Sequence, residues 1–329
     1  MPTTLEVPSS STVKDRILPD GQDAFRTGFN QQSFQFSHNL VGHPLFELQR
    51  MAKLAKTLLD FEGPTAVRWK SNKTTPDAKW EQLPPDEQFA SVSDAIANLN
   101  DSSSGVVLYR AQNDPEYMEV LDQVIDEIEA MLGRPLRPEV TWKDCYIFMT
   151  SPNGVTPYHI DHGATCLMQV HGSRKAHLFD QADRSLLTEQ EIEGFYMGDL
   201  GAANYSADKE AKASVYDMTP GTGVHHPSLA PHHYKNGATY SIAVGIHLFL
   251  KPADIRARAF QANALLRQLG LKPTPVGDSP WRDNVKINTV RMFDKRNPTN
   301  KGDLIRSGAT RLSKPFRAAR KIGKIFKRG

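Results

Sequence analysis

Apolar side chains recur along the chain in two rhythms, and the change from one to the other divides it. Between Pro44 and Phe61, the residues Leu45, Leu48, Met51, Leu54, Leu58 and Leu59 fall on one side of a helix. From Pro115 to Leu132 the spacing of Met118, Leu121, Val124, Ile125, Ile128 and Leu132 is again helical, and Gly133 supplies the stop. Between these helices Val106–Tyr109 reads as a strand, and the polar, proline-containing run 70–88 as a loop. At Thr141 the texture changes. Short apolar runs at 144–150, 165–171, 175–179, 214–218 and 239–249 are separated by turn formers such as Pro152-Asn-Gly154, Pro220-Gly-Thr-Gly223 and Asn236-Gly237. Many short strands with frequent turns predict an antiparallel sandwich or barrel. Residues 181–213 form a polar insertion with a short helix near Glu189, of the kind that covers a pocket mouth. Helical spacing returns at Ala253–Leu269 and, more weakly, at Asn284–Phe293.

Composition adds the ends. The first 35 residues are rich in Ser, Thr, Pro, Gly and Gln and read as a poorly ordered arm. Across 329 residues, 39% hydrophobic and 23% charged content is that of a soluble globular protein. The longest apolar stretch, 241–250, is too short to span a bilayer. The N-terminus has neither a basic start nor an apolar run, and Cys145 and Cys166 make no disulfide framework. A reducing compartment, the cytoplasm, is the expectation. The net charge of +3 hides an asymmetry: residues 301–329 hold ten Lys or Arg against Asp303 alone, so the rest of the chain is mildly acidic. Within 314–328, Arg317, Arg320, Lys321, Lys324, Lys327 and Arg328 fall on one helical arc, and Phe316, Ala319, Ile322, Ile325 and Phe326 on the other. Such a helix suits an anionic membrane surface or an acidic partner, giving a peripheral membrane location; a disordered solubilising tail would carry the same residues.

The chemistry sits in the strand-rich part. His159 and Asp161 are two apart, a spacing that lets both side chains of a strand aim into one cavity while Ile160 faces away. His232 follows in Ala230-Pro-His-His-Tyr-Lys-Asn-Gly237. Two histidines and one carboxylate cap one face of an octahedral Fe(II) and leave the opposite face open. Four histidines crowd this region, at 225, 226, 232 and 233, and strand alternation puts His233 on the other side from His232.

Together these segments resemble the jumonji-C-like, or cupin-like, Fe(II)- and 2-oxoglutarate-dependent oxygenases, in particular the group similar to the asparaginyl hydroxylase of hypoxia-inducible factor. The resemblance is carried by Val155-Thr-Pro-Tyr-His-Ile-Asp161, Gly172-Ser-Arg174, Leu178-Phe179, Pro220-Gly-Thr-Gly-Val224 and Ala230-Pro-His232. It implies a mainly β fold with flanking helices, a double-stranded β-helix of the jelly-roll or cupin type. It implies that His159, Asp161 and His232 hold Fe(II). Arg174 stands where relatives carry Lys and would pair with the distal carboxylate of 2-oxoglutarate, as a guanidinium fork does. Thr156 would donate its hydroxyl to the same carboxylate. Thr165 and His247 fall where relatives have amide side chains lining the cosubstrate site.

The expected activity is a dioxygenase that hydroxylates an unactivated C–H, on a protein or peptide side chain or on a specialised small molecule. Two other classes would use the same barrel: a non-oxidative, isomerase-type cupin-like metalloenzyme, and a catalytically silent binding module. The expected organisation is a flexible arm (1–35), a catalytic domain with N-terminal helices (36–250), a helical segment (251–300) and the basic amphipathic tail (301–329). A homodimer through 253–269 is a further expectation, and packing of Ile255, Phe260, Ala264, Leu265 and Leu269 against the chain's own barrel explains the same pattern.

Overall fold

Strand alternation decides which side chains meet, and it sorts the strand-rich half into two faces. The computed structural model describes residues 15–19, 21–79 and 82–325, with side chains through Lys314. In chain order the elements are α1 (Asp23–Gly28), β1 (Phe34–Ser37), α2 (Leu48–Glu62), β2 (Val67–Ser71), α3 (Val92–Ala97), β3 (Ser104–Leu108) and α4 (Pro115–Leu132). Then come β4 (Val140–Thr150), β5 (Val155–His159), β6 (Ala164–His171), β7 (Arg174–Leu178), α5 (Glu189–Tyr196), β8 (Ser214–Met218), β9 (Thr222–His226), β10 (His232–Asn236) and β11 (Ser241–Leu250). Three helices close the chain: α6 (Lys251–Gln268), α7 (Pro280–Arg291) and α8 (Lys301–Ile325).

The strands form a seven-stranded sheet in the order β1-β9-β6-β11-β4-β3-β2 and a four-stranded sheet in the order β5-β10-β7-β8. Of the strands β4 to β11, four enter each sheet, and the neighbouring strands pair antiparallel. That alternation is the double-stranded β-helix, with helices flanking it. On its outer side the larger sheet buries Ile147, Met149, Cys166, Met168, Val244 and Ile246 against Met51 and Leu54 of α2 and Leu121 and Val124 of α4. The opposite alternates, Leu167, Val224 and Ala243, meet Ala176, Leu178 and Tyr234 of the smaller sheet inside the barrel. Burial on both faces is why β6 and β11 read as near-continuous apolar runs.

Local signals set the helix limits. The Asp114 side chain accepts the Glu116 N–H at 3.1 Å, Pro115 opens α4, and Gly133 ends it in the left-handed region at φ 65. The helix expected from Pro44 is broken: Pro44–Phe46 is a short 3₁₀ turn, and Glu47 is extended before α2 begins. The expected loop 70–88 starts a residue or two late, because β2 runs to Ser71 and Lys70 bridges to Pro85.

Two boundaries move. Residues 1–14 of the expected arm lie outside the described residues, but the rest of it is packed. Ile17, Leu18, Phe25, Phe29 and Phe34 are buried, and Glu127 of α4 accepts the Ile17 and Leu18 N–H groups at 3.1 and 2.6 Å. β1 then adds an edge strand beside β9. A few apolar residues in a polar context suffice here because α4 offers both a surface and a buried acceptor. At the other end, the first part of the expected tail belongs to the folded body: Ile305, Ala309 and Ser313 of α8 are buried. The amphipathic arc from Phe316 onward lies outside the described side chains. Helix α6 buries Ala257, Phe260, Ala264 and Leu265 within the chain, leaving Ile255 and Leu269 exposed. Self-packing accounts for Phe260, Ala264 and Leu265 of that pattern, but not for Ile255 and Leu269.

One turn shows how little slack this barrel has. Gly172 links β6 to β7 at φ +68, and a β-carbon there would collide with the Tyr240 carbonyl oxygen. Gly172→Ala is expected to destabilise the fold by about 2–4 kcal/mol, read as a lowered melting temperature. An unchanged melting temperature would mean that this turn relaxes freely.

Candidate metal centre

β5 and β10 lie side by side with His159 opposite His232. Each histidine has its Nδ1 held by a backbone carbonyl two residues earlier: His159 by Pro157 at 2.8 Å and His232 by Ala230 at 2.9 Å. Those bonds fix the rings so that both Nε2 atoms face Asp161, whose Oδ2 lies 4.0 Å from His159 Nε2 and 3.8 Å from His232 Nε2. The three ligand atoms all lie within 4.8 Å of one another. Asp161 is not in the strand, which ends at His159; the loop brings it round, and the Asp161 carbonyl accepts the Leu229 N–H at 2.8 Å.

The electrostatics suit a cation. Burial keeps His232 neutral by pushing its pKa well below the usual value, with His159 adding to the effect. Burial works against the Asp161 charge, but His159, His247 and His226 outweigh it and its pKa falls. Two imidazoles and one carboxylate, with both Nδ1 atoms already committed, are the donor set that borderline divalent metals take.

The cosubstrate residues named from the sequence fall along the barrel from this cluster. Arg174, on β7, is buried with its guanidinium over the Tyr234 ring at 5.7 Å. Its hydrogen bonds go to the Ser241 hydroxyl, 2.7 Å from Nη2 and 3.2 Å from Nε. Among the described residues no carboxylate lies within ion-pair distance of it. Burial lowers its pKa to about 10, so it remains charged at neutral pH. Thr156 stands opposite Tyr234. β5 spends three steps from Thr156 to His159 against two from Tyr234 to His232, a bulge that breaks strict alternation between Thr156 and the metal ligand. Thr165 and His247 face each other across β6 and β11, and Thr165 Oγ1 lies 2.9 Å from His247 Nδ1. His247 Nε2 is buried without a partner.

Beside the metal cluster opens a cavity of about 420 Å³ lined by His159, Asp161 and His247, by aromatic side chains, and by the first turns of α8. Phe195, Tyr196 and Leu200 of the 181–213 insertion form part of its wall. His162 bridges Asp254 Oδ1 at 2.7 Å and Tyr196 OH at 3.0 Å, tying the insertion to α6.

Three features escaped the sequence reading. His226 projects into the barrel with its ring 4.2 Å from that of His232, and its Nδ1 has no partner. Tyr234 is two residues beyond His232 on the same strand, so the alternation that set His233 aside could have found it. Lys301, assigned to the tail, reaches back to fully buried Asp144 at 2.8 Å and to the Tyr146 hydroxyl.

A second ligand-type group, His177, Glu210 and His233, lies on the outer face of the smaller sheet. Its two rings are parallel, 4.3 Å apart at 16°, so their lone pairs run side by side and do not converge. Glu210 accepts from both histidines and from Tyr205, pinning the turn 207–212 to the sheet. His233 thus points away from the metal cluster.

Several imidazoles are buried neutral. Burial lowers His38 and His247 to about 4 and His225 to about 3, against 6.5 for a solvated imidazole. The unfolded chain therefore binds more protons below pH 6.5, and stability present above 6.5 is lost as pH falls toward 4. Even without metal, the melting temperature is expected to drop steadily over that window; a flat profile would contradict the burial.

No family profile matches the chain, and no curated protein does. Among solved structures, it is similar to Escherichia coli YcfD, described as a ribosomal oxygenase in complex with cobalt and 2-oxoglutarate. That match has 14% identity over 91% of this chain and 68% of that one, with a TM-score of 0.48. A second YcfD structure gives 15% identity over 89% and 67%, with a TM-score of 0.43. A cupin superfamily protein from Desulfitobacterium hafniense gives 10% identity over 33% and 69%, with a TM-score of 0.22.

Proposed function

We propose that the chain is an Fe(II)- and 2-oxoglutarate-dependent dioxygenase that hydroxylates an unactivated C–H bond. The observation that carries this reading is Arg174: a buried guanidinium whose bonds go to one hydroxyl and one ring, on the barrel that also holds His159, Asp161 and His232. A buried charge without a counterion is costly, so this site calls for an anion. A dicarboxylate that places one end on the metal and the other on Arg174 meets that demand.

In this reading His159, Asp161 and His232 hold the iron. Bound there, iron with 2-oxoglutarate and O2 supplies the oxidising power, yielding succinate, CO2 and a hydroxylated product. The protein's own share is positional. Pro157 and Ala230 carbonyls hold the two imidazoles in one tautomer. Arg174, Tyr234 and Thr156 receive the distal carboxylate, while Thr165 and His247 border the cosubstrate. Phe195, Tyr196 and Leu200 exclude water from the cavity. The substrate is a protein or peptide side chain or a specialised small molecule, since a cavity of about 420 Å³ is of the size that takes either. The free, buried thiols of Cys145 and Cys166 are compatible with the proposed reducing, cytoplasmic location.

The test is stoichiometric. Full-length protein given Fe(II), 2-oxoglutarate and O2 is expected to form succinate only when all three are present, each succinate accompanied by one O2 consumed. No succinate under any condition, despite bound iron, would favour the isomerase-type metalloenzyme or the silent module instead.

A further inference from the structure

The first turns of α8 close one side of the cavity, where Lys301, Gly302, Ile305 and Arg306 line it. Three basic side chains therefore look onto the space next to the metal cluster: Arg110, Lys301 and Arg306. Two of them are neutralised. Arg110 Nε lies 2.5 Å from Glu62, and Lys301 lies 2.8 Å from Asp144. Arg306, half-buried, has no acid within ion-pair distance among the described residues. The acid in the cavity lining is Asp161, which the proposed function commits to the metal.

The charges of that assembly then cancel elsewhere. A divalent metal offsets Asp161 together with part of the dicarboxylate, and Arg174 takes the remaining negative charge. Arg306 is left over, one unit of positive charge on the substrate side of the metal. The same cavity is lined by the aromatic side chains Tyr109, Tyr146, Phe195, Tyr196 and Phe249. A guanidinium facing such a cavity binds a planar anion through paired N–H donors.

We infer that Arg306 is the residue that selects the substrate, and that the substrate carries a carboxylate or phosphate at one end and an apolar portion at the other. Arg306 holds the anionic end while the apolar portion lies over the metal. This rests on the oxygenase reading for which side of the metal is the substrate side; the charge selection itself does not need turnover. It also disfavours a cationic side chain as the group delivered to the metal, because Arg306 would repel it.

The experiment compares two probes of one shape, 3-phenylpropionate and 3-phenylpropanamide. Both are titrated calorimetrically into the full-length chain under argon with Co(II) and saturating 2-oxoglutarate, so that Arg174 is already occupied. The carboxylate is expected to bind about tenfold more tightly than the amide, the size of one good charge-assisted contact. Arg306→Gln should bring the carboxylate down to the amide's level and leave the amide's affinity as it was, which also shows that the variant is folded. Arg306→Lys should keep most of the preference. Equal binding of the two probes to the unmodified chain, no binding of the carboxylate, or a preference that survives Arg306→Gln would overturn the inference. Repeating the titration without metal or 2-oxoglutarate separates it from the oxygenase reading. An Arg306-dependent difference there stands even if succinate never forms, whereas full succinate formation with no such difference refutes Arg306 alone.

Discussion

His232→Ala is expected to leave the purified chain almost free of iron, with retention down by about 100-fold or more, and to abolish 2-oxoglutarate turnover. The basis is geometric. His232 is one of three donors within 4.8 Å of one another, its ring is fixed by Ala230, and burial keeps it neutral and ready to bind. Loss of an outer partner of a metal ligand already costs 10–100-fold in affinity, so loss of the ligand costs at least as much. His233→Ala, one residue away, is the control. It removes a bond to Glu210 on the outer face and should leave iron content unchanged while loosening the turn 207–212. Metal analysis of both variants after dialysis decides between them, and the opposite pattern would move the ligand to His233.

The second large effect separates function from stability. Arg174→Met is expected to weaken 2-oxoglutarate binding by about 100-fold, the loss of a bidentate charged contact in a site shielded from water. The same change should leave the protein without cosubstrate at least as stable, by about 1–4 kcal/mol when a well-packed apolar side chain replaces a buried charge. The reason is that Arg174 spends its desolvation without an ion-pair partner: burial lowers its pKa to about 10, and the nearby polar group is the neutral Ser241 hydroxyl. A residue present only to brace the barrel would behave in the reverse way. Calorimetry with 2-oxoglutarate and a melting curve without it read the two halves separately. Unchanged cosubstrate affinity with a collapsed melting temperature would remove Arg174 from the site.

How much of this was legible in the chain depends on how local each signal is. Helix α4 declared both its ends because Asp114, Pro115 and Gly133 act within one turn of where they stand. The runs that became β4, β6, β7, β8 and β11 were visible as apolar stretches between turn formers, and their number pointed to an antiparallel sandwich or barrel. His159, Asp161 and His232 could be named because motif spacing survives in sequence. The reason offered for the first pair was only half right, since β5 stops at His159 and a loop carries Asp161 to its place. Lys301 could not be placed beside Asp144 from the sequence, because nothing local links residues 157 positions apart. Composition also misled at both ends. A polar average hid Ile17, Leu18 and Phe25 in the supposed arm, and a run of bases hid Ile305 and Ala309 in the supposed tail. A few well-spaced apolar side chains outweigh the average wherever a complementary surface waits for them.

The most direct measurement is anomalous X-ray diffraction from crystals of the full-length chain grown without oxygen in the presence of Fe(II), recorded on both sides of the iron absorption edge. One strong peak is expected, at bonding distance from His159 Nε2, Asp161 Oδ2 and His232 Nε2, with no comparable peak among His177, Glu210 and His233. A peak only at that outer group, or none near His159, would contradict the account.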